Sequence, residues 1–185
     1  MKRVKVDMTE LVSAFQSASY EQAFYLDTET GEVLLIPEDA RMALNEFLEE
    51  DESEDEDEFA RLDSWFAESS HPDWEHDLVR DALRIENDVS KRYIEVPPAD
   101  SGEGYRDMEE FAVTVADAHL RESLHTVLRR PKPFRRFKDV LSDDLAEREQ
   151  WFKFQDDRLR QRVLEWLESE DIEPIAREET GPDSP

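Results

Sequence analysis

The residues with the clearest chemical potential are basic. Residues 129–138, RRPKPFRRFK, hold six bases and no acid. They are Arg129, Arg130, Lys132, Arg135, Arg136 and Lys138. Trp151, Phe152 and Phe154 follow, and then Arg158, Arg160 and Arg162. Arg and Lys interleaved with aromatics can track a phosphate backbone and stack bases. The opposing reading makes Phe134 and Phe137 core anchors and pairs the bases with acids of this same chain.

Other constellations are weaker. In HPDWEHD, His71 and His76 lie near Asp73 and Asp77. Pro72 prevents the two histidines from sharing a regular helical face, and the helix-borne H-E-x-x-H pattern is absent. Helix capping and surface exposure account for the segment. His119 and His125, six apart, fall on different helix faces. Gly102-Glu103-Gly104 resembles the start of a phosphate-cradling loop, but a third glycine is missing and the acid would repel phosphate. A flexible turn explains it. No serine sits in a G-x-S-x-G elbow. Carboxylates are too many for any pair to be singled out by spacing. The expectation is therefore a non-enzyme with no catalytic residue, no metal site and no cofactor.

The elements that must carry these residues are legible from periodicity. Asp7 with Glu10 forms a capping-box start to a helix whose apolar face is Leu11, Val12, Phe15 and Ala18. Residues 22–37 read as a β-hairpin, with strands around Phe24–Leu26 and Val33–Ile36 and a turn at Asp27–Glu32 containing Gly31. The second strand is apolar on both faces, which predicts a central place in the sheet. Pro37 opens a helix with Ala40, Ala43, Leu44, Phe47 and Leu48 inward. Phe59, Leu62, Trp65 and Phe66 mark a short helix. Asp73 is expected to cap the next, lined by Leu78, Ala82, Ile85 and Val89. Residues 92–96 alternate like a third strand, stopped by Pro97-Pro98.

After a loop at Ser101–Gly104, one helix puts Tyr105, Met108, Phe111, Ala112 and Val115 inward, and another Leu120, Leu124, Val127 and Leu128. Residues 130–133 are a rigid connector. Phe134, Phe137 and Leu141 share one face of a short amphipathic segment. Ser142 is expected to cap a long last helix with Leu145, Phe152, Leu159, Val163, Trp166 and Leu167 inward. The fold class is α+β: a small antiparallel three-stranded sheet with surrounding helices and an all-helical C-terminal half. One domain is expected over 1–169, with an acidic loop at about 49–58 and a flexible acidic tail over 170–185.

Composition narrows the class further. The 185 residues hold 49 acids and 23 bases, a formal net charge of −26. With no cysteine, disulfides, thiolate metal sites and cysteine nucleophiles are excluded. The N-terminus lacks the apolar stretch of a secretory signal, and no run approaches the roughly 20 residues of a membrane span. The default is a cytoplasmic protein with no membrane partner. Only 6 of the bases are Lys. Many acids with little Lys fit a surface kept hydrated in a salt-rich cytoplasm. A DNA mimic is the sharper alternative and an ordinary acidic protein the plainer one.

The charge is uneven. Residues 49–58 hold nine acids and read as a self-repelling, solvated connection, while 119–165 carry a net charge of +3. If the acids do not fold onto 129–138, that segment is an open anion-binding surface, and the open case is the expectation. Its partner is expected to be a macromolecule, a protein ahead of nucleic acid. An enzyme acting on an anionic substrate is the further alternative.

Several motifs occur in a recognisable order: YLDTETGEV (25–33), Met108 with Phe111, the Leu120/Leu124/Leu128 ladder, FRRFKDVL (134–141), Trp151 with Phe154, and EWL (165–167). Over about residues 7–172 the chain resembles the uncharacterised bacterial protein family one-five-eight. FRRFKDVL followed by W-x-x-F is the most specific part. The chain departs from the pattern in its Pro-rich connector and its long acidic stretch at 49–58. The resemblance implies a bacterial cytoplasmic protein and carries over no activity and no catalytic residues.

Overall fold

The computed structural model describes residues 1–50, 57–98 and 100–176. Contacts divide the chain into two compact units, Met1–Pro98 with Ile172–Pro185, and Ala99–Asp171. The division falls near residue 99, where the antiparallel sheet ends and the helical half begins.

The first unit contains β1 (Lys2–Val6), α1 (Met8–Ser17), β2 (Gln22–Asp27), β3 (Val33–Pro37), α2 (Glu38–Glu50), α3 (Glu58–Glu68), α4 (Asp73–Glu86), β4 (Tyr93–Glu95) and β5 (Ile172–Ala176). The α+β class holds, with the expected antiparallel sheet in the order β3-β2-β4. β2 occupies its centre, however, and β3 an edge. The double-faced apolarity of β3 comes from α1, α2 and α4, which contact it, rather than from a second neighbouring strand. Ile36, Ala40, Phe47, Leu62, Val79 and Leu83 form one buried cluster there.

Two strands escape a local reading. β1 and β5 pair in parallel, Val4 opposite Pro174 and Val6 opposite Ala176. The tail expected to be loose from 170 therefore contributes a strand, and Ile172 is buried. Residues 177–185 lie outside the described residues, as does the core of the acidic run, 51–56. Of that run, Glu49 and Glu50 end α2, and Asp57 caps α3 by accepting from the Phe59 N–H at 3.0 Å.

The hairpin turn ties these strands together. Asp27 is buried and accepts from the N–H groups of Glu29 (2.8 Å) and Thr30 (3.3 Å). It also takes Arg92 in a two-pronged contact, Nε to Oδ1 at 2.9 Å and Nη2 to Oδ2 at 2.5 Å. Burial disfavours its ionised form, but Arg92 and the two N–H groups outweigh that and hold the carboxyl below its ordinary range. Gly31 has φ +76°, and a Cβ there would lie 1.8 Å from the Lys5 carbonyl oxygen of β1. Only glycine meets both the left-handed backbone and the close approach.

The second unit is helical: α5 (Ser101–Thr114), α6 (Ala118–Leu128), α7 (Pro133–Leu141) and α8 (Leu145–Ser169). Its core is an aromatic and leucine cluster built on Phe111, Leu124, Phe137, Leu141 and Trp151. Several local expectations are corrected. Asp144, not Ser142, caps α8, accepting from the Glu147 N–H at 3.1 Å, while Ser142 ends α7. Asp73 is already the first helical residue of α4. Ser101–Gly104 is the first turn of α5, capped by Asp100, rather than a loop. Val89, Leu145 and Phe152, expected inward, are exposed.

Candidate functional site

The basic segment spans the turn between two packed helices. Asp117 caps α6, and Leu124 and Leu128 bury its inner face. The Tyr105 hydroxyl of α5 donates to the Leu128 carbonyl at 3.1 Å, satisfying one of the carbonyls left free at the end of α6. Arg129 follows as the C-cap. Lys132, between two prolines, takes a left-handed conformation (φ 59°, ψ 55°), and Pro133 opens α7. The chain is thereby turned sharply with little freedom. α7 then places Phe137 and Leu141 in the core, Phe137 5.0 Å from Trp151 between ring centroids.

All six bases named above are exposed. Arg136 donates from Nε to the Pro131 carbonyl at 2.9 Å and clamps the connector. Arg135 has Asp139 one turn along at 3.9 Å, an exposed pair of small energetic weight. Among the described residues, no carboxylate pairs with Arg129, Arg130, Lys132 or Lys138.

The aromatics divide differently from the expectation that makes both Phe134 and Phe137 core anchors. Phe137 is fully buried, whereas Phe134 is 41% exposed. Phe134 sits in the first turn of α7, where a face three residues before Phe137 has reached the rim of the bundle. Its ring tip lies over Gly104: a Cβ at Gly104 would be 3.2 Å from Phe134 Cε1. Gly104 is thus a point of close packing for α7, while Gly102 lies against the capping side chain of Asp100. Two glycines in a first helical turn were the available signal for such a close approach.

The other bases singled out in the sequence, Arg158, Arg160 and Arg162, are committed. Arg162 contacts both oxygens of buried Asp107 and lies 3.0 Å from Glu103. Arg158 pairs with Glu110, and Arg160 with Asp156 at 2.8 Å. Trp151 is buried, and Phe154 packs partly against the same core with the Arg158 guanidinium 5.2 Å from its ring centroid. The basic surface therefore narrows to 129–138.

In the first unit, HPDWEHD is exposed at Pro72, Asp73, Trp74 and Asp77, as expected, but buries Glu75 and half-buries both histidines. His71 Nδ1 lies 2.8 Å from Oε2 of Glu75, itself only 6% exposed. The His71 ring is 4.6 Å from Trp65, and His76 stacks on Phe66 at 3.9 Å. The i,i+4 spacing of His71 and Glu75 was the missed signal. Glu46, Glu50, Trp65, Glu68 and His71 line a cleft of about 560 Å³. Among the described residues, no group of three or more His, Asp or Glu side chains is placed to hold a metal ion, and no helix is long and apolar enough to cross a membrane.

The sequence matches the family model described as Uncharacterised protein family (UPF0158) over residues 64–184. It is also similar to the UPF0158 protein of Pseudomonas aeruginosa, with 27% identity over 178 residues, 96% of this chain and 91% of the relative. No solved structure matches.

Proposed function

The chain belongs to the uncharacterised protein family UPF0158, and on that footing we propose that it is a non-enzymatic bacterial interaction protein that holds an anionic macromolecule through Arg129, Arg130, Lys132, Arg135, Arg136 and Lys138. Family membership brings no activity with it. The supporting observation is the contrast between the two sets of bases in the helical unit. Arg158, Arg160 and Arg162 of α8 are spent on this chain's own carboxylates. Those of the α6–α7 turn are exposed on a stiff scaffold and, in a chain of net charge −26, have among the described residues only the Arg135–Asp139 pair with an acid. Folding uses Phe137 and Leu141 and does not need six bases together. At physiological salt the screening length is about 8 Å, so the local field decides contact more than the net charge of the whole chain does. The acid-rich remainder serves solubility in a salt-rich cytoplasm.

The test is binding of labelled heparin, measured by anisotropy across a salt series. Replacing Arg135, Arg136 and Lys138 together by Gln should preserve the far-ultraviolet circular dichroism. It should weaken binding at least tenfold and flatten the dependence on salt by the equivalent of two to three ionic contacts, each contributing about 0.7 to the slope. Unchanged affinity would refute the assignment.

A further inference from the structure

We infer that the α6–α7 turn binds single-stranded nucleic acid, with the exposed ring of Phe134 as the surface on which a base stacks. The inference rests on the proposed anionic partner and names its class. Three observations carry it. Phe134 presents an exposed ring directly beside Arg135 and Arg136, although Phe137, three residues on, is fully buried. One edge of the ring rests over Gly104, where a Cβ would lie 3.2 Å from Cε1, and the rest of the ring stays open to a base. Pro131, Pro133 and the left-handed Lys132 fix the bases on the same short turn.

A stacking ring flanked by exposed cations matches a strand whose bases are unstacked and whose phosphates are close by. A duplex keeps its bases stacked on one another and would leave the ring idle. So would an acidic peptide, which needs only the charges. Asp139 on the exposed side of α7 also disfavours a continuous phosphate track along that helix, and leaves the turn and first helical residues as the contact.

The experiment uses the full chain and two labelled probes of about ten nucleotides: oligothymidylate, and an abasic chain with the same phosphates. The unaltered protein should bind oligothymidylate about tenfold more tightly than the abasic chain, the gain expected of one stacked base. Phe134→Leu keeps an apolar group on Gly104 but removes the ring. It should reduce oligothymidylate to the abasic affinity and leave abasic binding unchanged. Phe134→Tyr retains a ring and should keep the tenfold preference, which separates loss of stacking from loss of folding.

Equal affinity for both probes, or indifference of oligothymidylate to Phe134→Leu, overturns the stacking inference while the anionic reading stands. If neither probe binds, and heparin does not bind either, both readings fall. Displacement of oligothymidylate by polyglutamate more readily than by the abasic chain overturns nucleic acid in favour of an acidic protein partner.

Discussion

Nη2 of Arg162 on α8 lies 2.7 Å from both carboxylate oxygens of Asp107 on α5, 55 residues earlier in the chain. Asp107 is 4% exposed, and Arg158 approaches the same carboxylate at 3.9 Å. The longest helix is thus pinned to the first helix of its unit by a desolvated charge rather than by apolar burial alone. That explains how α8 can present so many polar residues and still pack.

Removing one partner of a buried pair leaves the other charge uncompensated. Asp107→Asn should therefore cost about 2–3 kcal/mol in urea denaturation, below the full penalty because Arg162 keeps Glu103. Arg162→Lys retains the charge but loses the planar fork and should cost about 1 kcal/mol. Equal, negligible effects of both variants would show that the pair contributes no net stability.

Asp27 links stability to pH. Its folded carboxyl titrates below the ordinary value, so the folded state favours the ionised form. The contribution is complete above the unfolded value near pH 4 and is lost as pH falls through the folded one. Asp27→Asn should cost about 2 kcal/mol at pH 6 through the lost contacts to Arg92 and the turn. The difference between the two proteins should shrink steadily below about pH 4. A difference that stays constant to pH 2.5, followed by urea denaturation, would contradict this linkage.

Two glycines should respond in opposite ways. Gly31→Ala meets the Lys5 carbonyl oxygen and an unfavourable φ together, and neither can yield without moving β1. About 3 kcal/mol of destabilisation is expected from the combined strain. Gly104→Ala meets only the tip of a half-exposed ring, and alanine is the better helix former by about 1 kcal/mol. Thermal melts should show a large loss at Gly31 and little change, or a small gain, at Gly104. Similar losses at both would mean that Phe134 cannot swing aside.

What was legible along the chain was what acts within one or two turns. Asp7 capping α1, the hairpin around Gly31, and Phe137 and Leu141 on the inner face of α7 all follow from residues three to six apart. The same local rule selects Asp144 over Ser142 as the cap of α8, since only Asp144 stands where its oxygen reaches the N–H of Glu147. The concentration of bases at 129–138 needs no structure to be seen.

Tertiary structure decided which groups are already occupied. It pairs β1 with β5 from opposite ends of the chain, moves β2 to the centre of the sheet, buries Glu75 behind His71, and consumes Arg158 and Arg162 on α5. It also leaves Phe134 at the rim while Phe137 fills the core, although both have the same composition and helical spacing. Capping and periodicity are short-range preferences. Partner choice across tens of residues depends on how the helices and strands close on one another, and an isolated stretch of sequence holds no record of that closure.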